Sequence, residues 1–80
     1  MDEHRVKNYL ISIIERGLKG HAQQDKCALF TKKIAAMPND IESVKGTIRK
    51  IRMAIRLLVD EELADDLYEE MMAIVAREES

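Results

Sequence analysis

The chain has one cysteine, one proline, three aromatic residues and no tryptophan among its 80 residues. Each scarcity removes a class of explanation. With Cys27 as the only cysteine, no disulfide can form within the chain, and Cys27 with His4 and His21 falls one ligand short of a four-coordinate structural zinc site. With only Tyr9, Phe30 and Tyr68 as aromatics, the core has to be aliphatic. No stretch approaches the roughly 18 consecutive apolar residues of a membrane span. The longest apolar run near the start, Tyr9 to Ile14, is interrupted by Ser12, so no secretory signal is visible. A free cysteine without an export signal makes the cytoplasm the expected compartment. No motif for catalysis, metal or nucleotide binding is present, so no cofactor is expected.

The chain is 46% apolar and 35% charged, with only three glycines, which is the balance of a helical domain and not of a disordered tail. Its length allows one domain. A chain this short buries only about 60 to 65% of its unfolded surface, so staples, metals or a partner subunit usually reinforce it. Here self-association remains, and a homodimer is the expectation.

The strongest signal lies in residues 41 to 58. Ile41, Val44, Ile48, Ile51, Ile55 and Leu58 recur at steps of three and four, which aligns them as one seam on an α-helix and is incompatible with the period of two of a strand. Around it the sequence predicts an all-α bundle of three or four helices, at about 3–18, 22–36, 40–58 and 61–78, in a single domain spanning 1–80. In the first helix Val6, Leu10, Ile13, Ile14 and Gly17 share a face with Tyr9 and Leu18 at its margins, Ile11 falls off the stripe, and Asp2 and Glu3 face the positive end of the helix dipole. In the second, Cys27, Phe30, Ile34 and Met37 form the stripe. In the last, Leu63, Leu67, Met71 and Ile74 do so, flanked by Ala64, Tyr68 and Val75.

The boundaries carry their own chemistry. Gly20 suits a left-handed helix end near residues 19–21, with a kinked helix over 3–36 as the alternative. Pro38 disfavours the helical conformation at Met37. Asn39 with Glu42 resembles a capping box for the central helix, and Gly46 within it is a flaw that would permit a close helix approach. Asp60 reads as the cap of the last helix, although an unbroken helix over 40–78 also fits the apolar spacing.

Charge is divided along the chain: residues 1–59 hold 12 Lys+Arg and 6 Asp+Glu, whereas residues 60–80 hold 1 and 9. Lys45, Arg49, Arg52 and Arg56 follow one another as a ridge beside the seam. Such a ridge either tracks phosphates or faces the acidic last helix, and flanking charges of this kind ordinarily set helix pairing. Nucleic acid is disfavoured because Asp40 and Glu42 occupy the helix start and no aromatic is interleaved for stacking. His21 and Asp25 share a helical spacing but supply only two ligands. The acids Asp65, Asp66, Glu69 and Glu70 lie on a polar face, and Cys27 lies on an apolar one as an inert thiol.

Apolar residues also fall outside the seam. Met53, Ala54 and Leu57 widen the apolar arc of the central helix, and Tyr68, Met71 and Met72 that of the last. Methionine-rich surplus surface is used to accept partners. The expected function is therefore a small non-enzymatic protein–protein interaction module, a regulator, inhibitor or adaptor. Its contact surface would consist of Met53, Leu57, Tyr68, Met71 and Met72, with Arg49, Arg52 and Arg56 at the rim. A nucleic-acid-associated protein and a structural subunit of a larger assembly are the alternatives.

Overall fold

A computed structural model of the chain describes residues 3–20 and 24–79. They form four α-helices and no strand: α1 (Glu3–Leu18), α2 (Cys27–Ala36), α3 (Ile41–Leu58) and α4 (Glu61–Glu79). A single turn of 3-10 helix, Gln24–Lys26, leads into α2. Because that turn already has helical backbone angles, α2 begins without a side-chain cap. The all-α fold expected from the periodicity is thus the fold observed, and both long-helix alternatives are excluded. Gly20 takes a φ of 83°, the left-handed conformation that ends α1. Val59 leaves the helical region, and the Asp60 carboxylate accepts the Leu63 amide at 2.8 Å to start α4 afresh. At the other boundary Met37 is extended ahead of Pro38, as the proline requires.

One cap differs from expectation. Asp40, not Asn39, is the N-cap of α3. Its carboxylate accepts the Ser43 amide at 2.9 Å and the Ser43 hydroxyl at 2.8 Å, so both oxygens are engaged by the one residue three positions on. A charged acceptor at the positive helix end makes the stronger cap, and the Asn39–Glu42 box is not used. The two hydrogen bonds hold the Asp40 carboxyl below the ordinary carboxylate value.

The helices run up and down alternately. Lys7 donates to the Ala35 carbonyl at 3.1 Å, which sets the start of α1 beside the end of α2. Arg5–Glu78 and Arg16–Glu70 align α1 antiparallel to α4, and Lys45–Glu79 and Arg56–Glu61 do the same for α3 and α4. Around the bundle the order is α2, α1, α4, α3. The α3–α4 contact is the most extensive and the α2–α3 contact the thinnest. The radius of gyration is 11.6 Å, close to the roughly 12 Å of a fully packed chain of this length, so no helix stands apart.

The core is aliphatic apart from Phe30 and Met residues. Val6, Leu10, Ile14 and Leu18 of α1, Phe30 and Ile34 of α2, Val44, Ile48, Ile51 and Ile55 of α3, and Ala64, Leu67, Met71 and Val75 of α4 are buried together. Four of the six seam residues are therefore fully inside. Ile41 is half-buried at one end and Leu58 is exposed at the other. Ile11 packs against the core and is not a stray surface residue. On α4 the buried stripe is centred on Ala64, Leu67, Met71 and Val75, a slight rotation from the expected line that leaves Leu63 and Ile74 half-buried.

Close approach between helices occurs at Gly17 and not at Gly46. A Cβ on Gly17 would sit 2.9 Å from Leu67 Cδ1, inside van der Waals contact, whereas one on Gly46 would meet nothing within 4 Å. Gly17 on α1 therefore accommodates Leu67 of α4.

Candidate functional site

The ridge on α3 meets α4 first. Lys45 pairs with Glu79 at 2.8 Å, Arg56 with Glu61 at 3.1 Å, and Arg52 reaches Asp65 through both Nε (3.0 Å) and Nη2 (2.8 Å). The Arg52 guanidinium also lies 4.5 Å from the centroid of the Tyr68 ring, so one α4 turn holds it by charge and by its aromatic face. Of the two uses open to the ridge, pairing with the acidic last helix is the one observed. These side chains are half-exposed, which limits each pair to at most about 1 kcal/mol. They set the register of α3 on α4 more than they stabilise it.

Arg49 is the exception. It sits on the same ridge but has no ion pair among the described residues. With Arg52, Arg56 and Met53 it lines a shallow groove of about 250 Å³ on the outer side of α3. On this side of α3 Leu57 is 76% exposed and Met53 56%, while Leu58, on the seam side of the helix, is 46% exposed. Met53 and Leu57 are one turn apart on the helix side opposite Val44, Ile48, Ile51 and Ile55, so burying the seam forces them outward. The α2–α3 contact is the thinnest between neighbouring helices of the bundle, and Leu58 stays exposed. Across the thin α2–α3 side Leu29 of α2 is also 53% exposed.

The residues expected at a contact surface therefore divide. Met53, Leu57 and Arg49 are accessible. Arg52 and Arg56 remain at the rim but are engaged with α4. Met71 is completely buried, as its place on the apolar stripe of α4 requires, and is withdrawn from any surface. Tyr68 and Met72 are half-buried against the core, with Tyr68 beneath Arg52. Leu29 and Leu58 join the exposed set. Neither was singled out by sequence, because Leu58 fits the seam period and Leu29 stands alone on a short helix. No sequence signal marks them, because their exposure depends on how closely α2 packs on α3.

Other groups that could carry chemistry are placed as follows. Cys27 is half-buried against the core, and burial, followed by the charge of Glu15, pushes its thiol above the ordinary value. It stays protonated and is a poor nucleophile. Asp65 and Glu70 are occupied by Arg52 and Arg16. No cluster of three metal-ligating side chains occurs among the described residues. The His21–Asp25 pair and the Asp2–Glu3 helix start involve positions outside the described residues and side chains. No described helix is long and apolar enough to cross a membrane.

Comparison with known protein families, curated proteins and solved structures gives no significant match.

Proposed function

We propose that the chain is a non-enzymatic protein-binding module, a regulator or adaptor that engages a different protein through the outer side of α3. The observation that carries this reading is the exposed pair Met53 and Leu57, one turn apart, on the side of α3 whose groove is lined by Arg49, Arg52, Met53 and Arg56. Clustered large apolar side chains are costly to leave in water and are the ordinary basis of hot spots, while rim cations give orientation and rate. The protonated Cys27 thiol and the arginine-paired carboxylates support a role without catalysis.

A two-fold contact of the chain with its own copy through this face would set Arg49 and Lys50 of one molecule against the same cations of the other. Arg52 and Arg56 are offset by α4, but Arg49 and Lys50 have no ion pair among the described residues. That repulsion favours an unlike partner over the homodimer on this surface.

The test is affinity capture from the native cells with two baits, wild type and Leu57→Asp, followed by binding of the purified hit. Leu57 is on the surface, so the variant keeps its fold, which circular dichroism verifies. A protein captured by wild type, bound directly and lost with Leu57→Asp supports the reading. Capture of no protein that depends on Leu57 overturns it.

A further inference from the structure

We propose that the cleft between α2 and the C-terminal half of α3 receives an acidic, amphipathic α-helix of the partner, seated as a fifth helix of the bundle. This rests on the protein-binding function above and specifies what the partner offers.

The cleft is built by the α2–α3 hairpin. Near the Pro38 turn Lys33, Ala36 and Met37 line one concavity with Thr47 and Lys50. An antiparallel register that sets Lys33 and Ala36 against Lys50 and Thr47 brings Leu29 across from Ala54 one turn further out. Beyond that level α3 presents Leu57 and Leu58, both exposed. Small or charged residues near the turn, and exposed leucines on both helices away from it, give the hairpin a face that no other helix of the chain covers. Two antiparallel helices with unfilled ridges accept a third at the usual interaxial distance of about 8–10 Å. An occupant with apolar anchors at i, i+3, i+4 and i+7 would meet both walls.

Charge selects the occupant. Residues 26–37 and 43–59 together carry eight Lys or Arg and no Asp or Glu. Lys45, Arg52 and Arg56 are neutralised by α4. Lys26, Lys32, Lys33, Arg49 and Lys50 have no ion pair among the described residues. Five uncompensated cations on α3, on α2 and on the turn leading into it, two of which (Lys33 and Lys50) line the concavity, match a helix whose apolar stripe is edged by Asp and Glu.

The chain's own acids cannot serve. Glu62, Asp66 and Glu69 form an unpaired ridge along the outer side of α4, but the neighbouring outward positions there are Ala73 and Ala76. That ridge would satisfy the cations of another copy while leaving Leu29 and Leu57 in water. Phosphates of a nucleic acid have the same defect, and the cleft has no aromatic on which a base could stack.

The test uses the full chain as target for a displayed library of 20-residue helical peptides with randomised side chains. The expected winners carry large apolar residues at helical spacing with Asp or Glu at the margins. For a selected peptide, Leu57→Glu should weaken binding by about tenfold or more and Lys33→Glu with Lys50→Glu by about fivefold. Glu62→Lys with Glu69→Lys on α4 should leave it unchanged. Methyl resonances of Leu29, Met53, Leu57 and Leu58 should shift on binding. Winners without acidic margins, or winners indifferent to Leu57→Glu, overturn the proposal. So does tighter, Leu57-dependent binding to a DNA duplex or to phosphatidylserine vesicles. If the paired-bait capture finds a Leu57-dependent partner while the library yields no acidic helix, this proposal falls and the protein-binding function stands. If the capture finds none, that function is what fails.

Discussion

The two sides of α3 are built from the same few residue types and end in opposite states. Toward α4, three cations meet three carboxylates, Tyr68 lies under Arg52, and the isoleucines of the seam are sealed. Toward α2 and outward, Lys50 and Arg49 have no counter-charge among the described residues, and Met53, Leu57 and Leu58 stand in solvent. The difference lies in the neighbours. α4 packs extensively on α3 and carries eight Asp or Glu, whereas α2 makes the thinnest contact and carries only cations. A helix side is closed when its neighbour supplies both close packing and opposite charge, and it stays open to solvent when the neighbour supplies neither.

The sharpest way to break this comparison is a charge placed on each side. Ile51→Asp puts an unpaired carboxylate in the sealed seam, costs several kcal/mol and should abolish the helical circular dichroism signal, because total stability is of that order. Leu57→Asp introduces the same group on the open side and should stay within about 0.5 kcal/mol of wild type in urea unfolding. Equal effects would mean that the two sides are not distinct.

Glycines give the next contrast, between a filled contact and an open one. Gly17→Val drives side-chain atoms into Leu67, itself buried, and should destabilise by about 1–3 kcal/mol. Gly46→Ala meets no neighbour in a helix interior and should stabilise by up to about 1 kcal/mol through helix propensity. Thermal unfolding of the two variants checks both signs.

A double-mutant cycle on Arg52 and Asp65 sharpens the account of the sealed side. The expected coupling is about 0.5–1 kcal/mol, since both groups are about half-exposed and screened. A coupling of several kcal/mol would mean that the pair holds α3 on α4 and not merely in register.

The smallest effect concerns the start of α3. The Asp40 carboxyl is held below its ordinary value by Ser43, so its contribution to stability is fully present above the unfolded value and is lost as pH falls through the folded one. The melting temperature of Asp40→Asn should therefore lie below wild type near neutral pH, and the gap should close in acid below the ordinary carboxylate range. A gap that is constant with pH would dismiss Asp40 as a charged cap.

Legibility from sequence followed the range of each interaction. The seam of α3 and the breaks at Pro38 and Asp60 depend on residues within one or two turns, and they were found where they were expected. The cap at Asp40 was displaced by one position from Asn39, because two neighbouring residues can each cap and only backbone geometry chooses. The exposure of Met53 and Leu57 was legible, because they lie opposite the seam and had to face out. Met71 was placed both on the apolar stripe of α4 and on the surface, and the structure keeps only the first, with the side chain fully buried.

The sequence by itself determined an all-α chain of amphipathic helices, an aliphatic core and the separation of cations from acids, because periodicity acts along the chain. Only the tertiary structure decided that Gly17 and not Gly46 is the point of close approach, that α4 neutralises Lys45, Arg52 and Arg56 but not Arg49, and that Leu29, Leu57 and Leu58 stay exposed. Those outcomes depend on the rotation and offset of one helix against another, which are set jointly by side chains distant in sequence.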